Sequence, residues 1–293
     1  MELDYVKLKD IKPALSGYIT EAMSLLKLRP VPDEMAIHDV RVLMKKSRAV
    51  MRLIVSQIDE EFYNREYGTF REVGRIMSSW RDTSVHRKTL KYLKKNHPGL
   101  FSRLTDNEKL ENLLGKTDTT EEPFTGLKTD LGQINDLLGK AGFRIRFQSM
   151  NNLDPKLLLS ELDRSYNVVI DRYLACRNSM KPADLHEFRK RAKDFLYQLW
   201  FFRPLNPRVV KSLEKRLDTL TQNLGKYNDL SQLILTIDYR YTSSANTPAL
   251  DELILIIRKV QDRYLSKVWV VAYKIFCPGQ KLVNLLGFRV LMM

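Results

Sequence analysis

Apolar residues recur along this chain at steps of three and four, the period of a helix with one buried face. Ile11, Leu15, Tyr18, Ile19, Ala22 and Leu26 form the first stripe, and Arg29-Pro30-Val31-Pro32 ends it. Asp33 is placed to cap a second helix, whose stripe Ile37, Val40, Met44, Met51, Ile54 and Ile58 predicts helix to about Glu61. A third helix is expected from about Tyr67 to Lys95, broken by His97-Pro98-Gly99, and a fourth over about 100–114. A polar loop follows from Gly115 to Pro123; then Leu127, Leu131, Ile134 and Leu138 set another helical rhythm. Phe143-Arg144-Ile145-Arg146-Phe147 alternates like a strand but stands alone, and reads as a helix end or a bridging segment. Asn151-Asn152-Leu153-Asp154-Pro155 marks a boundary. Helices are then expected over about 156–179, 183–202, 208–239 and 249–276, separated by Lys181-Pro182, Pro204 with Pro207, and residues 243–248. The pattern predicts an all-α protein.

The halves on either side of that boundary repeat one another. Ile37-His38-Asp39-Val40-Arg41 through Lys45 and Leu185-His186-Glu187-Phe188-Arg189 through Lys193 both read H-x-x-R-x-x-x-K, with the two histidines 148 residues apart. Tyr18 and Tyr166 each lie twenty residues before the histidine of their half, and Arg81-Asp82 is matched by Asn228-Asp229 after a slip of one residue. Four residue types at one offset in different surroundings are evidence of an internal duplication. The predicted architecture is therefore two antiparallel four-helix bundles related by a pseudo-twofold axis, over residues 1–150 and 151–293.

Charge follows the same periodicity. His38, Arg41, Lys45, Arg48 and Arg52 keep the rhythm of the apolar stripe displaced by one position, about 100° around the helix. The basic stripe thus borders the buried seam, and His186, Arg189 and Lys193 repeat that phase. The whole chain of 293 residues carries a formal charge of +14 with 44% hydrophobic residues, which describes a globular protein suited to polyanions: nucleic acid, anionic membrane or polyphosphate. From His38 to Arg52 the stripe is about 21 Å long, enough for an extended polyanion and more than one phosphate needs. Arg offers phosphate a fork of donors and Lys a point charge. An unperturbed imidazole titrates near pH 6.5, so His38 and His186 would add charge as the pH falls.

His38-x-x-Arg41-x-x-x-Lys45, His186-x-x-Arg189-x-x-x-Lys193-x-x-x-Tyr197, Arg81-Asp82 and Asn228-Asp229 together resemble the CHAD family, the conserved histidine α-helical domain. The resemblance covers nearly the whole chain, as one unit made of both halves. It implies two four-helix bundles around a basic groove or pore, non-catalytic binding of inorganic polyphosphate, and association with polyphosphate granules. The polyphosphate-binding residues expected are His38, Arg41, Lys45, Arg48, Arg52, Arg81, His186, Arg189, Lys190 and Lys193, with Asp82 and Asp229 orienting them. Leu196 and Trp200 stand at the repeat partners of Arg48 and Arg52, so the second half is expected to contribute less charge.

Other chemistries find less support. His38-Asp39 is the dipeptide of metal-dependent HD phosphohydrolases, but its repeat is His186-Glu187 and further ligands are missing from the pattern. No Walker motif, G-x-S-x-G or glycine-rich phosphate loop occurs, so no enzyme, cofactor or metal is expected. Non-specific nucleic-acid binding by the same phosphate contacts is the rival reading, although most aromatic residues sit at core phase. Cys176 and Cys277 form no C-x-x-C pair, the N-terminus lacks a signal pattern, and no apolar run would span a bilayer, so a cytoplasmic protein is expected.

Overall fold

The computed structural model describes residues 8–28, 32–78, 82–104, 124–150, 152–241 and 248–287. Among them are eleven α-helices and no strand: α1 (Ile11–Lys27), α2 (Glu34–Leu53), α3 (Glu60–Ile76), α4 (Asp82–Asn96), α5 (Pro98–Leu104), α6 (Phe124–Phe147), α7 (Pro155–Ser179), α8 (Pro182–Leu199), α9 (Pro207–Tyr241), α10 (Pro248–Phe276) and α11 (Leu282–Leu286). The protein is all-α, and none of these helices is long and apolar enough to cross a membrane.

The apolar stripes fix how the helices meet. In the first half α1 packs on α2, α2 on α3, α3 on α6, and α6 back on α1. In the second half α7 packs on α8, α8 on α9, α9 on α10, and α10 on α7, so the two rings match helix for helix. They join where α2 packs directly on α8, and one continuous core runs through both, from Leu15, Met44 and Met51 to Phe188, Phe195 and Phe202. A smaller core lies apart from it. There Leu90 and Leu93 of α4 and Leu100, Phe101 and Leu104 of α5 meet Leu230, Leu233 and Ile237 of α9 and Leu253 and Ile257 of α10. Two helices drawn from the first half thus rest on the second ring.

Two helix boundaries differ from those the sequence pattern predicts. The basic helix ends at Leu53, not near Glu61: Ile54 leaves helical geometry, Val55–Gln57 tighten into a 3-10 turn, and Asp59 caps α3 by accepting from the Phe62 N–H at 2.9 Å. Ile54 and Ile58 still pack on the core from that turn, which is why the apolar stripe runs on past the end of the helix. The expected helix over 67–95 is two helices, because its stripe serves two cores: Phe70, Val73 and Met77 enter the main one, Leu90 and Leu93 the smaller. The isolated Phe143–Phe147 segment is the last turn of α6, with Ile145 buried and the two phenylalanines on its outer face.

Each ring also buries a carboxylate at the same place in the repeat. Glu66 on α3 is 0% exposed and accepts from Arg144 of α6, at 2.9 Å to Oε2 and at closer range to Oε1, with Arg65 Nε at 3.2 Å. Glu214 on α9 accepts from Arg203 Nε at 2.7 and 2.9 Å. A buried ion pair adds little net stability when whole but is costly to halve, since the remaining charge is stranded away from water. Arg144→Ala is therefore expected to destabilise the protein by about 3 kcal/mol. Arg65→Ala, at a half-exposed side chain, should cost under about 1 kcal/mol. Urea denaturation of the two variants measures the difference.

Candidate polyanion-binding seam

The basic helices α2 and α8 lie at the junction of the rings, and their cations fall into three groups. The first is anchored to the neighbouring helix of its own ring. Arg41 donates from Nη1 to the Gly74 carbonyl at 2.8 Å and to Ser78 Oγ at 2.6 Å, both at the end of α3. Its repeat partner Arg189 donates from Nε to the Thr221 carbonyl of α9 at 3.3 Å and lies across Gly225, where an added Cβ would sit 3.2 Å from Nε. Gly74 and Thr221, like Ser78 and Gly225, stand 147 residues apart, the same slip that separates Asp82 from Asp229. The duplication thus preserves a berth of small residues in which a guanidinium can rest against a helix. Carbonyls of the neighbouring helix help to fix both arginines.

The histidines head the stripes differently. His38 is exposed, whereas His186 is half-buried with Nδ1 3.0 Å from Asn228 Oδ1. Burial holds the His186 imidazole below its ordinary pKa, helped by Arg189 and Lys190, while the Asn228 contact opposes the shift. Asn228, next to the half-buried Asp229, is the residue that orients this histidine. Arg81 and the side chain of Asp82 lie outside the described residues.

The second group sits where the rings touch. Arg52 donates to Asp194 Oδ2 of α8 at 2.6 Å and to the Tyr67 hydroxyl of α3, with its guanidinium 4.9 Å from the Tyr67 ring centre. Arg191 reaches the same Asp194 oxygen at 3.8 Å, and Tyr63 stacks on Tyr67 with ring centres 5.5 Å apart. Arg48 faces Asp194 and Tyr67 from α2, and burial pulls its guanidinium below its ordinary range. Burial pushes the Asp194 carboxyl up, against the pull of Arg52, Arg191 and Arg48.

The third group lines a cleft of about 560 Å³ on the other side of the seam. Lys46 faces Tyr18 there, with Tyr197, Trp200, Arg203, Lys211 and Lys215 around it and Glu214 and Asp218 among them. Lys193 donates to Asp218 at 3.0 Å and stands 5.6 Å from the Tyr197 ring centre; burial pushes that phenol up to about 12. Lys45 is half-buried on α2, and Lys190 is exposed and bonded to Glu187 at 2.6 Å, turned away from the cleft.

The periodicity pointed to the helices but missed several of these side chains. Arg191 and Lys46 are the immediate neighbours of Lys190 and Lys45, and only the pairing of α2 with α8 brings such off-stripe positions to the seam. Tyr63 and Tyr67 read as core residues, yet their repeat partners are Lys211 and Lys215, a cationic pair that marks both positions as facing the site.

Among the described residues no three His, Cys, Asp or Glu side chains gather in a way that would hold a metal ion. A family model described as the CHAD domain matches residues 25–237, which takes in both basic helices. No match is found among curated proteins.

Two outcomes are expected from this geometry. Because folding lowers the His186 pKa, the unfolded chain binds its proton first; stability from this group is full above about pH 6.5 and is lost as the pH falls below it. An imidazole NMR titration should place His186 below the value near 6.5 of an unperturbed imidazole, and His186→Gln should remove the corresponding acid-side slope in stability. Gly225→Ala should leave unfolding free energy within about 1 kcal/mol of wild type, since a helix gains from losing glycine. The same change should displace Arg189 and weaken polyanion binding in a titration.

Proposed function

The chain belongs to the CHAD family, and from that premise we propose that it binds inorganic polyphosphate without transforming it, along the seam between α2 and α8. The observation that carries this reading is the direct packing of the two basic helices. That packing joins the C-terminal halves of the two helices, where Arg52 meets Asp194 and Gln198 meets the Ala49 carbonyl. On this reading the stripe of His38, Arg41, Lys45, Arg48 and Arg52 and that of His186, Arg189 and Lys193 lead away from the junction into their own rings, so that phosphates of one chain could meet cations of both in turn. Arg41 and Arg189 suit the role because carbonyls of the neighbouring helix hold their guanidiniums in place. Binding of this kind would also hold the protein at polyphosphate granules in the cytoplasm.

The aromatic side chains bear on the rival reading. Nucleic-acid binding by stacking needs open ring faces. Here Arg52 covers Tyr67, Lys193 stands over Tyr197, Lys46 over Tyr18, and Lys9 lies 3.5 Å from the Trp200 ring centre. These rings position cations, which favours a ligand made of phosphates alone.

A competition titration tests the proposal. At fixed salt, long-chain polyphosphate should displace duplex DNA at low equivalents of phosphate, and DNA should displace polyphosphate poorly. Affinity should fall steeply with salt as condensed counterions are released, and Lys45→Ala should flatten that dependence by about one unit of slope. Equal displacement in both directions would make the seam a general polyanion surface, and a flat salt response would remove the polyphosphate reading altogether.

A further inference from the structure

Asp194 is the carboxylate that stands at the centre of the junction. Its Oδ2 accepts from Arg52 at 2.6 Å and lies 3.8 Å from Arg191, and Arg48 faces it from α2. Tyr63 and Tyr67 close the cluster from α3, and Lys190 approaches from its own helix. Three guanidiniums around one carboxylate leave donors to spare. Among the described residues, Nε of Arg48 and Nε of Arg191 are both buried without a hydrogen-bond partner. A buried polar donor left unpaired costs free energy, so its retention calls for an explanation. A carboxylate presents two acceptor oxygens, whereas a phosphoryl group presents more, in the geometry an arginine fork takes up two at a time.

The repeat adds an independent observation. The residue 148 positions before Asp194 is Lys46, which lines the open cleft. At corresponding places, then, one half puts a cation facing a cleft, and the other puts an anion among arginines that are only 26% and 32% exposed at Arg52 and Arg191.

We propose that Arg48, Arg52 and Arg191 form a phosphoryl-group site, and that Asp194 occupies it in the free chain as a built-in competing anion. Polyphosphate enters by exchange: one phosphoryl unit takes over the guanidinium donors that the carboxylate holds, including the two unused Nε atoms. The carboxylate keeps three like charges stable beside one another until ligand arrives, and sets a threshold that weakly charged or sparse anions do not pass. The identity of the ligand rests on the polyphosphate reading; the role of Asp194 rests on the arginine cluster itself.

Removing this anion should therefore strengthen binding, the opposite of what breaking a merely structural ion pair would do. The test is calorimetric titration of wild type, Asp194→Asn and Glu72→Gln with long-chain polyphosphate and with tripolyphosphate over a range of salt. Glu72 pairs with Arg75 on the outer face of α3, so its variant adds the same charge away from the seam. Asp194→Asn should bind about threefold or more tightly than wild type, with a salt slope steeper by nearly one unit, the mark of one more phosphate neutralised. Glu72→Gln should match wild type.

Wild-type binding that Asp194→Asn leaves unchanged or weakens, with Glu72→Gln also unchanged, overturns the inference and spares the polyphosphate reading. Binding by Asp194→Asn where wild type does not bind upholds the competing anion and overturns the wild-type reading. Binding by neither removes both. Should Asp194→Asn melt too low to titrate, Lys46→Asp is compared with Lys46→Gln. A carboxylate at that repeat-related position should lower affinity at least threefold beyond the neutral change, and equal affinities overturn the proposal.

Discussion

Everything in this fold follows from the packing of two cationic helices against one another. Two unit charges 4 Å apart repel by about 4 kcal/mol at the effective dielectric of a protein surface, so a seam of this kind needs a solution for its own charge. The sequence provides one by phase. The contact combines apolar side chains and the buried Gln198, donating to the Ala49 carbonyl at 3.0 Å, with one carboxylate, Asp194, that takes the Arg52 guanidinium at 2.6 Å. Most of the cations lie one helical step to the side, where their stems are covered, and those that meet at the junction gather around Asp194. Beyond residue 48 the helix α2 is nearly engulfed, with Ala49, Val50, Met51 and Leu53 all buried, because it serves its own ring on one face and α8 on another.

Arginine has two distinct uses here, and the partner tells them apart. Arg144 and Arg203 meet the buried carboxylates Glu66 and Glu214, so their charge is spent on holding a ring together. Arg41 and Arg189 meet helix carbonyls, which orient a guanidinium against the neighbouring helix. The first arrangement is scaffold, and a polyanion passing nearby gains little from it. The second is a guanidinium whose ordering cost has been met in folding, the condition under which a contact strengthens binding. Glu66 and Glu214, like Arg41 and Arg189, recur at the repeat offset of 148. The arginines that meet the carboxylates, Arg144 and Arg203, come from unrelated positions, so the duplicated unit carried the carboxylate and each half found its own partner for it.

Much of this was legible in the sequence because it depends on period and repetition. The 3.6-residue rhythm gave the helices of the second ring within a few residues, and the offset of His38 from His186 paired the halves before any packing was known. What escaped was set by tertiary contact. Asp59 ends the basic helix early by capping the next one, although the apolar stripe continues through Ile54 and Ile58 to serve the core from a turn. The stripe expected to form one helix over 67–95 divides because α4 and α5 turn to a second core on α9 and α10. Arg191, Lys46, Tyr63 and Tyr67 lay off the predicted stripe or at core phase. They join the site because α2 and α8 meet each other, a contact that no periodicity within one helix encodes.

The repeat also shows where the halves have diverged, and the divergence is compensated. Trp200 stands where Arg52 would be expected, which read as a loss of charge in the second half. On the neighbouring helix the exchange runs the other way: Tyr63 and Tyr67 of α3 correspond to Lys211 and Lys215 of α9. In the first half an arginine on the basic helix meets a tyrosine on the next; in the second, a tryptophan in the 3-10 turn that follows the basic helix shares a cleft with lysines on the next. Cation and aromatic ring have traded helices. Charge lining the seam is moved from α8 to α9 while the partnership of cation and ring is kept. The exchange gives the two sides different shapes, an arginine cluster closed on Asp194 and a lysine-rim cleft open beside Lys46. A symmetric seam would offer the same groups twice; this one offers two unlike environments, so any chain laid across it, as proposed for polyphosphate, would meet a different set of donors in each.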